Sequence, residues 1–141
     1  MRRPALLLSA LTLAGGLLVT GCGSDEEPLS QEEFVEQADK ICADANAELE
    51  EASGDIDPEN EQDVEGFVQD VLVPNIQDQH DSLEELTPPE DAQDDFDDML
   101  ADLQEGLDQL GDDPSLILSD SDVFGDANSL ANELGLTECG S

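Results

Sequence analysis

The pattern of apolar and polar positions predicts a helix that begins near residue 30. Ser30 and Glu33 have the spacing of a capping box, in which two side chains accept hydrogen bonds from amides at a helix start. Apolar residues then recur at helical intervals as far as Gly54, which favours an end to the helix. The apolar positions are Phe34, Val35, Ala38, Ile41, Cys42, Ala45, Leu49 and Ala52.

Three further stretches show the same helical spacing. The second contains Val64, Phe67, Val68, Val71, Leu72, Ile76, His80, Leu83 and Leu86. The third contains Ala92, Phe96, Met99, Leu100, Leu103, Leu107 and Leu110, and Gly111 is expected to end it. The fourth contains Val123, Phe124, Ala127, Leu130, Ala131 and Leu134, and Gly135 is expected to end it.

These four stretches predict an all-α fold. Pro74 lacks an amide hydrogen and clashes with the preceding turn, so the second helix is expected to kink or restart there. Residues 116–118 are apolar but too few for a helix, and we expect them to form a turn over one end of the core. No segment alternates with a period of two, so no strand is predicted. Short connections favour antiparallel neighbours, which predicts an up-down-up-down four-helix bundle.

The first 21 residues are expected to be a lipoprotein signal peptide. Arg2 and Arg3 give a positive start, and residues 5–19 form an apolar stretch that is short for a membrane span. Residues 19–22 (Val-Thr-Gly-Cys) resemble a bacterial lipobox, which makes Cys22 the predicted lipidation site. The alternative is an ordinary cleavable signal followed by a free cysteine. Residues 22–29 then form the lipidated N-terminus and tether, and residues 30–141 form an extracytoplasmic domain anchored to the cell membrane.

Two cysteines remain for the domain if Cys22 carries lipid. Cys42 lies on the apolar face of the first predicted helix, and Cys139 follows the last one. Disulfides persist outside the cytoplasm, and in an antiparallel bundle the end of the fourth helix passes beside the first. A Cys42–Cys139 disulfide is therefore expected, and closing so long a loop contributes about 4–5 kcal/mol. The alternative is a buried free thiol at Cys42 and a reactive thiol at Cys139.

Negative charge dominates the composition and narrows the classes of partner. The chain has 38 Asp and Glu against three Lys and Arg, a formal net charge of −35, and Lys40 is the only basic residue after the signal peptide. Nucleic acid and anionic membrane surfaces are excluded as partners, because both need positive charge on the protein. Like-charge pairs four residues apart, such as Asp94 and Asp98, favour a salty environment that screens them. We therefore expect folding to depend strongly on salt.

Candidate chemical sites are few. His80 is the only imidazole, and its helical step from Ile76 and Leu83 predicts a histidine at the edge of the core, hydrogen-bonded to a neighbour. No Ser or Cys motif accompanies it and no glycine-rich phosphate loop is present, so no catalytic residue, enzyme activity or cofactor is predicted. Residues 55–63 and 120–126 partly resemble calcium-binding loops, but each segment departs from the required pattern of ligands and glycine. We therefore assign no metal ligand and favour diffuse condensation of cations on the acidic surface.

Several landmarks together resemble a family of small actinobacterial secreted or lipid-anchored helical proteins. These are Phe34, residues 38–42 (Ala-Asp-Lys-Ile-Cys), Ala45, Asn46, Pro74, residues 86–89 (Leu-Thr-Pro-Pro) and residues 134–140 (Leu-Gly-Leu-Thr-Glu-Cys-Gly). The resemblance covers nearly the whole chain after the signal peptide and implies a helical fold with Cys42 paired to Cys139. The family carries no assigned activity, so it supplies no catalytic residue. This chain is far more acidic than the family pattern, which indicates a salt-loving source.

The sequence leaves three functions open. The first is a non-catalytic protein-interaction or envelope component, whose acidic helical face meets a cationic protein partner near the membrane. The second is a small-ligand carrier with a pocket between helices near Pro74 and His80, in which His80 is the candidate ligand-binding residue. The third is a domain that binds divalent cations.

Overall fold

The structure is a computed structural model that describes residues 27–54, 56–119 and 122–141. Within these ranges the chain is helical and contains no strand, which confirms the predicted all-α class. The predicted signal peptide, the lipidation site Cys22 and the first residues of the tether lie outside the described residues.

Helix α1 spans Gln31–Ser53 and begins with the predicted capping box. The amide of Glu33 donates to Ser30 Oγ over 3.3 Å, and the amide of Ser30 donates to Glu33 Oε2 over 3.2 Å. Hydrogen bonds from the side chain and backbone of Ser30 hold the pKa of the Glu33 carboxyl below its ordinary value of 4.5. The helix ends next to Gly54, as predicted, although Ala52 at the end of the apolar stripe is exposed.

The second helical stretch continues through Pro74. Helix α2 spans Glu61–Phe67, a π turn spans Val68–Leu72, and helix α3 spans Val73–Glu84. In the π turn, the amide of Val73 donates to the carbonyl of Val68, five residues back. A proline ring clashes with the carbonyl four residues before it, and the wider π turn accommodates the ring. The irregularity expected at Pro74 therefore takes the form of a π turn within helical backbone.

Helix α4 spans Gln93–Asp112 and helix α5 spans Gly125–Leu134, with a 3₁₀ helix at Pro114–Leu118 between them. The prediction that Gly111 ends the third helix is wrong, because α4 runs through it to Asp112. A residue before proline disfavours the helical conformation, and Asp113, which precedes Pro114, leaves the helix with φ −141° and ψ 88°.

Gly135 ends α5 as predicted, with a left-handed backbone at φ +87°. The amide of Gly135 donates to Asn132 O, and the amide of Leu136 donates to Ala131 O over 2.8 Å. These two hydrogen bonds form a Schellman motif, which satisfies carbonyls at the helix end. The motif also turns the chain so that Leu136 is fully buried.

Two clusters of buried side chains form the core. The larger cluster, which we call the main core, comprises Phe34, Ala38, Cys42, Leu83, Ala92, Phe96, Met99, Leu100, Ala127, Ala131, Leu134 and Leu136. The rings of Phe34 and Phe96 meet edge to face with centroids 5.0 Å apart. The smaller cluster, the distal core, comprises buried Val64, Val68 and Leu110, with partly buried Ile56, Leu72, Val73, Leu116, Val123 and Phe124 packed against them.

The segment after α5 is fastened along one face of α1. Cys42 and Cys139 form the expected disulfide, with their Cα atoms 5.0 Å apart. Asp39 Oδ1 accepts from the amide of Glu138 over 2.9 Å, and Asn46 Nδ2 donates to Glu138 O over 2.9 Å. Residues 39, 42 and 46 are three and four positions apart, so they share one helix face.

Candidate functional site

A groove follows the seam between α3 and α4, and we call it the α3–α4 groove. Two adjoining cavities of about 340 and 380 Å³ form it, and Gln104 lines both. The first, the His80 cavity, also reaches Leu86 and Pro88 after α3. The lining residues from the helices include Val73, Gln77, His80, Glu84, Gln93, Phe96, Asp97, Leu100, Ala101, Leu107, Asp108, Gly111 and Asp112.

Helix geometry explains why these side chains share one seam. The α3 lining positions 73, 77, 80 and 84 follow one another at steps of four, three and four, which places them on one helix face. At a rise of 1.5 Å per residue, these positions span about 17 Å along α3. The lining positions of α4 extend over its whole length, so the groove is longer on that side.

The groove has an apolar floor and an acidic rim. Phe96, Leu100 and Leu107 are buried and line the cavities. Glu84, Asp97, Asp108 and Asp112 are exposed and also line the cavities. None of these four carboxylates forms an ion pair within the described part of the chain. The groove therefore has buried apolar side chains beneath it and unneutralised negative charge at its rim.

His80 lies at the edge of the core, and its side chain is 13% exposed. Its Nδ1 atom is 3.4 Å from Asp81 Oδ1, which matches the predicted contact with a neighbour. The pKa of the Asp81 carboxyl lies below its ordinary value of 3.8. The main cause is the hydrogen bond from Gln77, and the hydrogen bond from His80 is the next largest cause. His80 lines a cavity between helices, whereas Pro74 is exposed and does not line that cavity. Ligand binding by His80 stays a prediction.

Within the described ranges, His80, Asp81 and Glu84 form a group that could hold a metal ion. One ligand atom from each lies within 4.8 Å of the other two, and the imidazole nitrogen would distinguish such a site from an all-oxygen one. Both carboxylates are exposed, and exposed acidic groups are common without a bound ion. The acidic segments 55–63 and 120–126 lie partly outside the described ranges.

A smaller cavity of about 200 Å³ lies between α1 and α3. Gln79 Nε2 donates to Cys42 Sγ over 2.9 Å, and Asn75 Nδ2 donates to Ala45 O over 3.3 Å. The Oδ1 atom of Asn75 is buried and has no hydrogen-bond partner within the described ranges. These amides couple α3 to the helix face that carries the disulfide.

The described surface offers almost no positive charge. Lys40, the only basic residue in the described ranges, pairs with Asp44, four residues along α1. His80 lies against Asp81, which would be its partner if the imidazole took a proton. None of the described helices is long and apolar enough to cross a membrane. The exposed carboxylates that line the α3–α4 groove give it the electrostatic character of a surface that can bind cationic groups.

The sequence places His80 at a candidate pocket between helices, but it does not predict the acidic rim of the groove. The rim carboxylates are four among 38 acidic residues, and nothing in their spacing distinguishes them from the solvated faces of other helices. Comparison with known proteins adds no assignment: no protein-family model matches the chain, and no curated protein or solved structure is significantly similar to it.

Proposed function

We propose that this chain is a lipid-anchored, extracytoplasmic, non-catalytic domain that binds a cationic partner close to the membrane. The observation that carries the proposal is the almost exclusively negative charge of the described surface. The only Lys in the described ranges already pairs with Asp44. A surface of this kind attracts cationic partners over several ångströms and repels nucleic acid and anionic lipid. The interaction is expected to weaken as salt rises.

The disulfide and the tether support the proposed location. Disulfides such as Cys42–Cys139 persist in oxidising compartments outside the cytoplasm. The amide of Leu29 donates to Thr87 O over 2.9 Å, so the end of the tether is attached beside the last turn of α3. The seven residues 23–29 reach at most about 25 Å, which would hold this end of the domain near a lipidated Cys22. The resemblance to small actinobacterial lipid-anchored proteins supports the same location.

The topology that we propose is an up-down-up-down bundle. Helix α3 packs against both α1 and α4, and α4 packs against α5. The connection from α3 to α4 is short, and short connections favour antiparallel neighbours.

A small cationic ligand is a second candidate partner. The cavity of about 340 Å³ at His80 supports it, because a volume of this size lies within the range of small-molecule sites. In that case the domain is a carrier, and His80 and Glu84 contact the ligand.

Two measurements test the proposed function. Mass spectrometry of the N-terminal peptide is expected to find acyl chains on Cys22, and an unmodified Cys22 in protein purified from membranes would contradict the anchor. A 12-residue Lys/Ser peptide is expected to bind the full chain saturably at 0.1 M NaCl, while a Glu/Ser peptide of equal length does not. Absence of binding by the Lys/Ser peptide would contradict the cationic partner.

A further inference from the structure

We propose that the α3–α4 groove binds an amphipathic helix of a partner protein, with Lys or Arg side chains flanking the apolar face of that helix. The inference rests on the proposed binding of a cationic partner and adds the place of binding and the form of the bound segment. It concerns a specific surface, whereas the proposed function concerns the charge of the whole domain.

The length of the groove fits a short helix. The lining positions of α3 span about 17 Å, which corresponds to about 11 residues, or three turns, of a bound helix. Helices that bind in grooves anchor themselves with apolar residues at positions i, i+3 or i+4, and i+7. The two adjoining cavities, about 340 and 380 Å³ in volume, provide room for such anchors at both ends.

The arrangement of charge selects a cationic occupant. Glu84 and Asp97 line the His80 cavity, and Asp108 and Asp112 line the second cavity, so both ends carry carboxylates. Lys and Arg bury their aliphatic stems along apolar surface while the charged group stays in water. A bound helix would therefore lay these stems over the floor around Leu100 and place the charged groups at the rim.

The same charge argues against other occupants. A second copy of this chain would bring a surface whose only Lys is already paired, so the two acidic surfaces would repel each other. Anionic lipid headgroups would meet the same repulsion. Charge complementarity thus favours a basic segment of another protein.

The test uses a 14-residue peptide with Leu on one helix face and Lys on the flanks, together with a scrambled peptide of the same composition. Fluorescence anisotropy measures binding to the full chain in a neutral detergent, and a titration of each peptide with detergent alone corrects for its partition into micelles. We expect the amphipathic peptide to bind at least tenfold more tightly than the scrambled one. Equal binding would overturn the proposed helix.

Two pairs of variants locate the binding surface. Ala101 is exposed and lines the His80 cavity, so Ala101→Phe should fill the cavity without changing charge and weaken binding at least tenfold. Ala47→Phe, at an exposed position of α1, is the matched control and should leave binding within about twofold.

The charge variant combines Glu84→Gln, Asp97→Asn, Asp108→Asn and Asp112→Asn. Its control combines Glu36→Gln, Glu50→Gln, Glu51→Gln and Glu133→Gln, all at exposed positions.

The charge variant should lose at least tenfold in affinity and its control less than threefold. Equal losses in the charge variant and its control would overturn the groove as the binding surface and leave the cationic partner intact. Failure of the Lys/Ser peptide to bind the wild-type protein would overturn the proposed function itself. Circular dichroism of each variant shows whether its fold is retained, and the exposed position of Ala101 makes Ala101→Phe the decisive variant if the charge variant unfolds.

Discussion

The main core and the distal core contain the same kinds of side chain but are held together by different constraints. The main core joins the apolar stripes of α1, α4 and α5 with the end of α3, and the Cys42–Cys139 disulfide lies within it. The distal core has three buried residues, and its partly buried neighbours come largely from the π turn, the 3₁₀ helix and the segment before α5. Periodic burial and a cross-link therefore constrain the main core, whereas the distal core depends on the packing of side chains from irregular segments.

Loss of the disulfide is the largest expected effect. Cys139 is only half-buried, so Cys139→Ser removes the cross-link with little change in packing. Closing a loop with a sequence separation of 97 contributes about 4–5 kcal/mol to the free energy of unfolding. We expect the melting temperature to fall by about 15 °C or more, as measured by circular dichroism.

Chemical reduction provides the control for this variant. Wild-type protein treated with a phosphine reductant should melt close to the Cys139→Ser variant, since both lack the same covalent bond. A melting temperature that stays within about 3 °C of the oxidised protein in both cases would contradict the dominant role of the disulfide in the main core.

Gly106→Ala is expected to cause the next largest loss in the free energy of unfolding, and it acts on the distal core. A Cβ atom at Gly106 would lie 2.5 Å from Phe124 Cδ1 and 2.6 Å from Val123 O. Phe124 packs against the distal core, so the close approach of its ring to α4 requires a glycine. We expect a loss of about 1–3 kcal/mol in a urea titration, even though Ala is the better helix former.

Gly111→Ala is the matched control on the same helix. Nothing lies within 4 Å of the Cβ position at Gly111, which is exposed near the end of α4. We expect this variant to gain about 0.5–1 kcal/mol from helix propensity alone. Equal effects of the two substitutions would show that Phe124 does not constrain α4.

Salt should stabilise the helices of the main core. Asp94 with Asp98, Asp98 with Asp102, and Glu32 with Glu36 are like-charge pairs four residues apart on α4 and α1. Each pair costs about 0.2–0.5 kcal/mol, so screening of the three should contribute about 1 kcal/mol. Raising NaCl from 0.05 to 2 M is expected to raise the melting temperature by about 5 °C or more. A flat response would contradict the proposed adaptation to a salty environment.

The smallest effect is expected at the exposed end of the 3₁₀ helix. The predicted turn over the core is realised only by Leu116, because Ile117 and Leu118 are 40% and 47% exposed. Ile117→Ser and Leu118→Ser should each change the free energy of unfolding by less than about 0.5 kcal/mol. A larger loss from either variant would show that the distal core extends over these residues.

Most of the main core could be predicted from the sequence, because it depends on short-range patterns. The helical spacing and the capping box at Ser30 place α1, and Gly135 ends α5 as the left-handed cap. The hydrogen bonds of Asp39 and Asn46 to the C-terminal segment could not be predicted, because polar side chains occur throughout the chain and, unlike two remaining cysteines, do not indicate a partner. The error at Gly111 has a local cause: the restriction that Pro114 imposes on Asp113 ends the helix, and the glycine does not.

The distal core and the α3–α4 groove were harder to predict. The contact of Gly106 with Phe124 depends on how a loop packs on α4, and no periodic signal encodes it. The spacing of His80 from Ile76 and Leu83 placed it at the edge of the core, as the structure has it. The acidic rim is a property of two helices together, and the sequence of either helix alone does not show which acids face the seam.

Native-state hydrogen exchange of the oxidised protein in 0.5 M NaCl tests the difference between the two cores most directly. We expect amides of residues 34–45 and 96–100 in the main core to exchange at least tenfold more slowly than amides of residues 64–72 in the distal core. Slower exchange in the main core would support separate constraints on the two regions. Equal rates, or slower exchange in the distal core, would contradict that account.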